Sequence, residues 1–260
     1  MMENSPFSTA FKSLLATGSD QKLQVLVVEE SMIDQLITSN FLMERGHQVT
    51  IAKDGREAVE MVSEGSFDLI LMDLHMPGLD GYQASRIIRE KKGDYFKKVP
   101  IVALTAFITA EITSKTKLSG MNAVLTKPFQ WEELHTVIKN QPTTLSNVSP
   151  PGLWLKKLEE YTNGDLLFTK RLLTLFMDNL NELKKSFSLI AQDQDIVKWN
   201  EELHRFKTTL TILESSELRK VLDNTKRSIQ EGCALQQIPT FHTAMDNLIS
   251  SIRKEMLSLN

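Results

Sequence analysis

The chain has 260 residues, of which 41% are hydrophobic and 24% charged, and its formal net charge is -3. This length exceeds one ordinary domain, so we expect two globular units that each bury a core. The charge gives no electrostatic case for a nucleic-acid partner, and no apolar run approaches the roughly 20 residues that span a bilayer. One cysteine excludes an internal disulfide, and no secretory signal is recognisable, so we predict a cytoplasmic protein without membrane insertion.

After a mostly polar N-terminal arm at residues 1–21, a repeating pattern runs over residues 22–140. Short β-branched apolar runs alternate with longer amphipathic segments, which is typical of a parallel sheet covered by helices on both faces. We therefore predict a doubly wound five-stranded parallel sheet. The predicted strands are 24–28, 48–52, 69–72, 101–104 and 123–125, and the predicted helices begin near residues 31, 55, 81, 109 and 130.

Residues 141–152 lose this periodicity and gather Pro, Ser and Thr, which indicates a linker. From residue 153 to residue 260, apolar residues recur at spacings of three and four, which predicts helices only. These helices would cover residues 153–161, 164–192, 196–231, with room for a break in this third segment, and 239–257. We predict an antiparallel four-helix bundle with a helical lead-in.

Polar residues stand at the carboxyl ends of four of the predicted strands. Right-handed crossovers bring these ends to one edge of the sheet, where three carboxylates would repel one another unless a cation neutralised them. An all-oxygen ligand set favours Mg²⁺. The alternatives are solvated loop acids, an ordinary ion pair and a helix cap. The residues at this edge are Glu29, Glu30, Asp73, Thr105 and Lys127.

This arrangement resembles, over about 120 residues, the receiver domain of two-component response regulators, which has a flavodoxin-like fold. The resemblance implies that Asp73 is the phosphoacceptor, and that Glu30, Asp73 and the main-chain carbonyl of His75 bind Mg²⁺. Glu29 would support the metal through water. Thr105 and Lys127 would bind the phosphoryl oxygens. Such a site suits attack by a carboxylate on phosphorus.

The chain departs from the receiver pattern at two positions. Glu30 stands where an Asp is usual, which adds a methylene to a tight metal shell, and Val124 replaces the common aromatic switch residue. Whether Glu30 impairs phosphorylation stays open at this point.

His204 and Lys207 lie three residues apart beside a predicted apolar helical stripe, so both are expected to project toward solvent. A surface His near a Lys often has no function. In a helical bundle, however, the sequence around them resembles the histidine phosphotransfer (HPt) domain, which implies that His204 is a second phosphoacceptor. Thr208 replaces the usual Gly of that motif. It would either donate a hydrogen bond to the phosphoryl group or obstruct docking.

The resemblances imply a phosphorelay protein rather than a kinase, because no kinase ATP-binding motif is present. Its expected partners are a sensor or hybrid histidine kinase and a downstream response regulator receiver. One alternative is a phosphorylation-impaired scaffold that docks two-component partners. A haloacid-dehalogenase-like phosphatase is disfavoured, because that family has a second Asp where this chain has His75. The sequence leaves open the kinase, the signal, the direction of transfer and the oligomeric state.

Overall fold

The computed structural model describes residues 22–106, 108–127, 129, 133–134, 158–159 and 161–259. The chain divides into two units between residues 146 and 147. The predicted arm at 1–21 and the predicted linker at 141–152 lie outside the described residues, as does most of the helix predicted to begin near residue 130. The domain boundaries therefore stay a prediction.

The predicted apolar runs of the first unit pair into one parallel five-stranded sheet of order β2-β1-β3-β4-β5. This is the flavodoxin-like order, in which the order of the strands reverses between β1 and β3, and proteins with this order bind ligands at that point, outside the carboxyl ends of the strands. Its elements are β1 Gln24–Val28, α1 Met32–Met43, β2 Gln48–Ala52, α2 Gly55–Glu64, β3 Leu69–Asp73, α3 Gly81–Glu90, α4 Asp94–Lys98, β4 Ile101–Thr105, α5 Ala110–Leu118 and β5 Ala123–Thr126.

The two faces of this sheet carry alternate residues of each strand. Leu26 and Val28 belong to one buried cluster, and Val25 and Val27 belong to another on the opposite face. Strand side chains alternate with a period of two, so a run that is apolar at every position must be covered on both sides. This burial pins the register of the strands and therefore the positions of the residues that follow them.

Helix α4 was not predicted. It begins after Gly93, whose φ of 121° is open to glycine and unfavourable for other residues. The Tyr95 hydroxyl accepts a hydrogen bond from the Phe67 N–H at 2.7 Å. Arg89 stabilises the same region, because its guanidinium donates hydrogen bonds to the carbonyl oxygens of Phe96 and Gly120, at 2.7 and 2.8 Å. These contacts join segments distant in sequence, which local periodicity does not reveal.

The second unit is helical over the described residues, as predicted. Helix α6 packs against α7 and α10, and α9 packs against α7 and α10. Trp199, Phe187 and Phe241 meet in its core, with ring centroids 4.5 to 5.7 Å apart. The helices are α6 Leu166–Asp193, α7 Ile196–Arg205, α8 Lys207–Ile212, α9 Ser216–Gln230, a 3₁₀ helix Ala234–Gln237 and α10 Ile238–Ser258.

The segment predicted at 196–231 is broken twice. Phe206 ends α7 with φ -97° and ψ 11°, outside the helical range, and α8 begins at the next residue. Ser215 then caps α9, accepting a hydrogen bond from the Leu218 N–H at 3.0 Å. The predicted break is therefore present, and the first of the two interruptions falls between His204 and Lys207. In the described part of the chain, no helix is both long and apolar enough to cross a membrane.

Candidate functional site

The Lys127 ammonium lies at the carboxyl edge of the sheet among three carboxylates. Its Nζ donates to Glu29 Oε2 at 2.7 Å and to Asp73 Oδ2 at 2.9 Å, and it forms an ion pair with Asp34 Oδ2 at 3.3 Å. Lys127 follows β5 directly, and its backbone N–H donates to the Thr105 carbonyl oxygen at 2.6 Å. Lys127 thus contacts residues that are far from it in sequence, since Glu29 and Asp73 lie 98 and 54 positions before it.

Glu29 is the more buried member of the acidic pair that follows β1. Its side chain is 1% exposed, whereas Glu30 is half-buried. The second carboxylate oxygen of Glu29 accepts a hydrogen bond from the Ser31 N–H at 3.0 Å, and Gln35 Nε2 donates to the Glu29 carbonyl oxygen at 2.6 Å. The loop between β1 and α1 therefore holds the Glu29 carboxylate against Lys127.

Asp34 is a site residue that the sequence analysis missed. It lies in the first turn of α1 and is 8% exposed, beside the buried Ile33. Ser31 caps this helix, and its Oγ accepts a hydrogen bond from the Asp34 N–H at 3.4 Å. A signal was present in the sequence: Asp34 is four residues after Glu30, and an acid among the buried positions of a helix needs a partner.

Asp73 ends β3 and is 2% exposed. Oδ1 accepts a hydrogen bond from the His75 N–H at 3.1 Å, while Oδ2 faces Lys127. The His75 residue itself is exposed. Each oxygen of the Asp73 carboxylate therefore has its own contact. Oδ1 contacts the turn after β3, and Oδ2 contacts the lysine that follows β5.

Thr105 ends β4 and is fully buried. In the sheet register Asp73 pairs with Leu104, and Thr105 pairs with Thr126, the residue before Lys127. Adjacent parallel strands lie about 4.8 Å apart, so this register places Thr105 on the strand between the acid and the lysine. The structure thus brings the predicted residues of the first unit to one sheet edge.

Burial and charge repulsion shift the ionisation of this cluster. Burial, together with repulsion from Asp73 and Asp34, raises the pKa of Glu29 well above its ordinary value, although Lys127 opposes the shift. Burial alone would lower the pKa of Lys127, but Glu29, Asp34 and Asp73 outweigh it and hold the pKa well above the usual range. The Lys127 ammonium therefore stays charged, and Glu29 holds its proton more tightly than an exposed glutamate does.

The carboxyl groups at this edge suit a divalent cation. Glu29, Glu30, Asp34 and Asp73 place carboxyl oxygens there, and the structure puts three of these groups beside a single ammonium. Hard cations such as Mg²⁺ prefer carboxylate and carbonyl oxygens. The donor set therefore suits Mg²⁺, with the exposed His75 turn at its rim.

In the second unit His204 and Lys207 are both half-buried, and the helix break at Phe206 separates them. Both residues are therefore partly exposed at the flank of the apolar core, and they belong to two successive helices. Thr208 is only 5% exposed. Nearby, Arg205 forms an ion pair with Glu182 at 2.8 Å and lies 4.6 Å from the centre of the Phe206 ring.

The fold and site of the first unit define a doubly wound α/β domain with a cluster of acidic side chains around one lysine at its carboxyl edge. Residues 25–139 match the family model for the response regulator receiver domain. This part of the chain belongs to that family.

Two curated relatives align beyond the receiver domain. The chain is 29% identical over 178 residues to sensor histidine kinase AruS of Pseudomonas aeruginosa, covering 68% of this chain and 18% of AruS. It is 26% identical over 249 residues to sensor protein GacS of Pseudomonas syringae pv. syringae, covering 90% of this chain and 27% of GacS. The chain thus spans a small part of these relatives.

Solved receiver domains are similar to the first unit. That of sensor histidine kinase PA1611 from Pseudomonas aeruginosa, with a magnesium ion in its active site cleft, is 35% identical. The match covers 46% of this chain and 97% of that chain, with a TM-score of 0.43. The receiver domain of Ssk1 from Saccharomyces cerevisiae, in complex with the histidine phosphotransfer protein Ypd1, is 37% identical, covering 45% and 86%, with a TM-score of 0.41.

Proposed function

We propose that this chain is a phosphorelay intermediate in which Asp73 accepts a phosphoryl group from a phosphohistidine on another protein. The observation that carries the proposal is the buried Asp73 carboxylate, 2.9 Å from the Lys127 ammonium at the edge of a receiver-family sheet. One oxygen of this carboxylate contacts the Lys127 ammonium, and the other accepts a hydrogen bond from the His75 N–H. A positioned carboxylate beside a cation suits the role of a nucleophile.

In the proposed reaction an oxygen of Asp73 attacks phosphorus and the phosphorus–nitrogen bond of the donor breaks. The donor imidazole recovers the electron pair, and an acyl phosphate forms on Asp73. The Lys127 ammonium offsets the negative charge on the phosphoryl oxygens in the transition state. The Thr105 hydroxyl would donate to one of these oxygens.

Glu30, Asp73 and the main-chain carbonyl of His75 would hold Mg²⁺, with Glu29 supporting it through water. When bound, the metal would neutralise charge on the phosphoryl oxygens as they approach the carboxylates. The burial of Glu29 and its contact with Lys127 support an indirect role for this residue. The half-buried Glu30 is the more accessible acid of the pair.

For the second unit we propose an HPt domain built as an antiparallel four-helix bundle. His204 would be its phosphoacceptor and Lys207 would offset the charge that His204 gains. Helices α6, α7, α9 and α10 pack together, which supports the bundle. The alignment with GacS covers 90% of the chain, so both units have a counterpart in one sensor protein.

The proposed partners are a sensor or hybrid histidine kinase that donates the phosphoryl group and a receiver that exchanges it with His204. We propose that the chain works in the cytoplasm and does not itself act as a kinase. If transfer between the two units is intramolecular, the linker sets the effective concentration of one site at the other.

The test is labelling of the full chain with Mg²⁺ and acetyl phosphate, followed by intact-mass measurement. Wild type should gain one phosphoryl group that is lost in hydroxylamine, as expected of an acyl phosphate. Asp73→Asn should not label, and chelation of Mg²⁺ should abolish labelling of wild type. The matched control is Asp94→Asn, because Asp94 is an acid of the same unit whose side chain is 83% exposed. That variant should label as wild type does.

His204 is tested by loading the full chain from a phosphohistidine donor and adding an isolated receiver. His204→Gln should remove onward transfer while Asp73 still labels. His242→Gln is the control, because His242 is a histidine of the same unit that contacts Ser188 at 3.0 Å. Wild type that labels from neither acetyl phosphate nor a phosphohistidine donor would support the scaffold instead, with Glu30 and Thr208 as its obstructed positions.

A further inference from the structure

The Lys127 ammonium contacts carboxylates that differ in their proposed roles. Asp73 is the proposed nucleophile and metal ligand, whereas Asp34 comes from helix α1 and has no assigned part in either task. Asp34 Oδ2 lies 3.3 Å from Nζ, an ion-pair distance longer than the hydrogen bonds of 2.7 and 2.9 Å to Glu29 and Asp73. The Asp34 side chain is 11% exposed, and that of Lys127 is 10% exposed.

A divalent cation at Asp73 would disturb this balance. It would take up the charge of Asp73, so the attraction of that carboxylate for Lys127 would weaken. It would also repel the ammonium directly, because Asp73, which contacts the ammonium, would then hold a second positive charge. Only carboxylates outside the direct metal shell can oppose this repulsion. Glu29 and Asp34 are those that the structure places beside Nζ.

We propose that Asp34 is a positioning residue that retains the Lys127 ammonium in the pocket when a divalent cation occupies it. The inference rests on the proposed phosphoacceptor function and deepens it. The acids divide between two tasks, with Asp73 and Glu30 on the metal side and Asp34 with Glu29 on the lysine side. Asp34 acts through Lys127 and does not contact the phosphoryl group.

Two substitutions of Asp34 can distinguish the effect of its charge from the effect of its packing. Asp34 donates its backbone N–H to Ser31 Oγ at 3.4 Å, and this contact is independent of the side chain. Replacing the carboxylate therefore leaves the cap of α1 in place. A neutral side chain of the same shape, as in Asp34→Asn, removes the charge and keeps the packing. Asp34→Glu keeps the charge and changes the shape.

The experiment follows the ¹⁵Nζ–H signals of lysine ammonium groups by NMR in the full chain, with and without saturating Mg²⁺. The Lys127 signal is assigned as the one missing from Lys127→Met. In wild type it should persist on Mg²⁺ addition. In Asp34→Asn we expect its protons to exchange with water about tenfold faster with Mg²⁺ present, since a charge-assisted contact is lost. Asp34→Glu should restore slow exchange.

Labelling by acetyl phosphate at saturating Mg²⁺ is the second measurement. Asp34→Asn should label about tenfold more slowly, and Asp34→Glu should recover most of the rate. The control is Glu60→Gln, because Glu60 is an exposed acid on α2 and its loss removes one charge without approaching Lys127. It should leave both measurements unchanged.

Equal Lys127 exchange in wild type and Asp34→Asn, with Mg²⁺ bound, would overturn the proposal. So would a result in which Asp34→Asn behaves as wild type and Asp34→Glu does not, because that pattern marks a packing role. Failure of wild type to label would refute the phosphorelay function, whereas the NMR measurement would still decide whether Asp34 holds the lysine.

Discussion

The first residue of helix α3, Gly81, lies directly against the strand end that carries the proposed phosphoacceptor. A Cβ atom on Gly81 would lie 2.1 Å from the Asp73 carbonyl oxygen and 3.1 Å from the Leu74 Cα atom. Both are backbone atoms, so no side chain can turn away to make room. Close approach of this helix to β3 therefore requires glycine at position 81.

Gly81→Ala should move the end of β3 or the start of α3, and destabilise the first unit by about 1–3 kcal/mol. It should also slow phosphoryl labelling, because the Asp73 carboxylate would lose its alignment with Lys127. Hydrogen–deuterium exchange over residues 69–90 measures the first effect. Gly65→Ala is the control, because its Cβ would meet nothing closer than 3.6 Å. Equal protection in the two variants would contradict this account.

Glu29→Gln should stabilise the first unit at neutral pH in the absence of Mg²⁺. The folded-state pKa of Glu29 is raised, so the folded state binds its proton more tightly than the unfolded state does. That stabilisation is complete below the unfolded value of 4.5 and is lost as the pH rises through the folded pKa. At pH 7.5 the buried charge of Glu29 therefore lowers the stability of the folded state.

Pulse proteolysis in urea at pH 7.5 and pH 4.5 measures this difference between wild type and Glu29→Gln. The gain from the substitution should be present at the higher pH and shrink at the lower one. Mg²⁺ should also reduce it, by supplying the missing positive charge to wild type. A loss of stability at pH 7.5 would mean that the contact with Lys127 outweighs the burial of the Glu29 charge.

His47 should give the opposite dependence on pH. Its Nδ1 accepts a hydrogen bond from the Leu23 N–H at 3.3 Å, which requires an unprotonated nitrogen. Burial, with a contribution from Arg45, lowers its pKa below 6.5. The folded state therefore binds this proton less well, and the stability associated with His47 is present above pH 6.5 and lost as the pH falls through the folded pKa.

Between pH 7.5 and pH 5.5, wild type should lose stability relative to His47→Asn by less than about 1 kcal/mol, because the ring is partly solvated. Asn places an amide oxygen near the position of Nδ1 and does not titrate. Urea unfolding midpoints of the first unit, read by pulse proteolysis across this pH range, give the comparison. A parallel pH profile for the two proteins would exclude His47 as the titrating group.

Substitutions of Trp199 can distinguish the contribution of packing from that of hydrogen bonding in the second unit. The residue is fully buried, and its Nε1–H lacks a hydrogen-bond partner among the described residues. Trp199→Ala should cost about 3–5 kcal/mol through the cavity it leaves beside Phe187 and Phe241. Trp199→Phe should cost far less, about 1 kcal/mol, because it also removes an unsatisfied donor.

Hydrogen–deuterium exchange over residues 183–193 reports the stability of the second unit in both Trp199 variants. The first unit supplies an internal control, because its β3 peptide should exchange as in wild type. Equal losses of protection in Trp199→Ala and Trp199→Phe would show that the indole nitrogen contributes stability that the structure does not account for.

Much of the fold follows from local pattern, and the core of the candidate site follows from topology. Strands such as Leu69–Asp73 could be predicted from a continuous apolar run, because a strand buried on both faces is apolar at almost every position. Once the sheet is parallel and its crossovers right-handed, residues at strand ends share an edge. Asp73 and Lys127 could therefore be paired from sequence, although 54 residues separate them.

Only the tertiary structure decided which acids contact the lysine and how the helices are interrupted. Glu29 and Glu30 are neighbours in sequence, yet Glu29 is buried against Lys127 and Glu30 is half-buried, because the turn after β1 directs their side chains differently. Asp34 joins the site through the packing of α1, and Phe206 breaks the helix between His204 and Lys207. The physical reason is that periodicity records which residues are buried, whereas their partners depend on contacts between segments far apart in the chain.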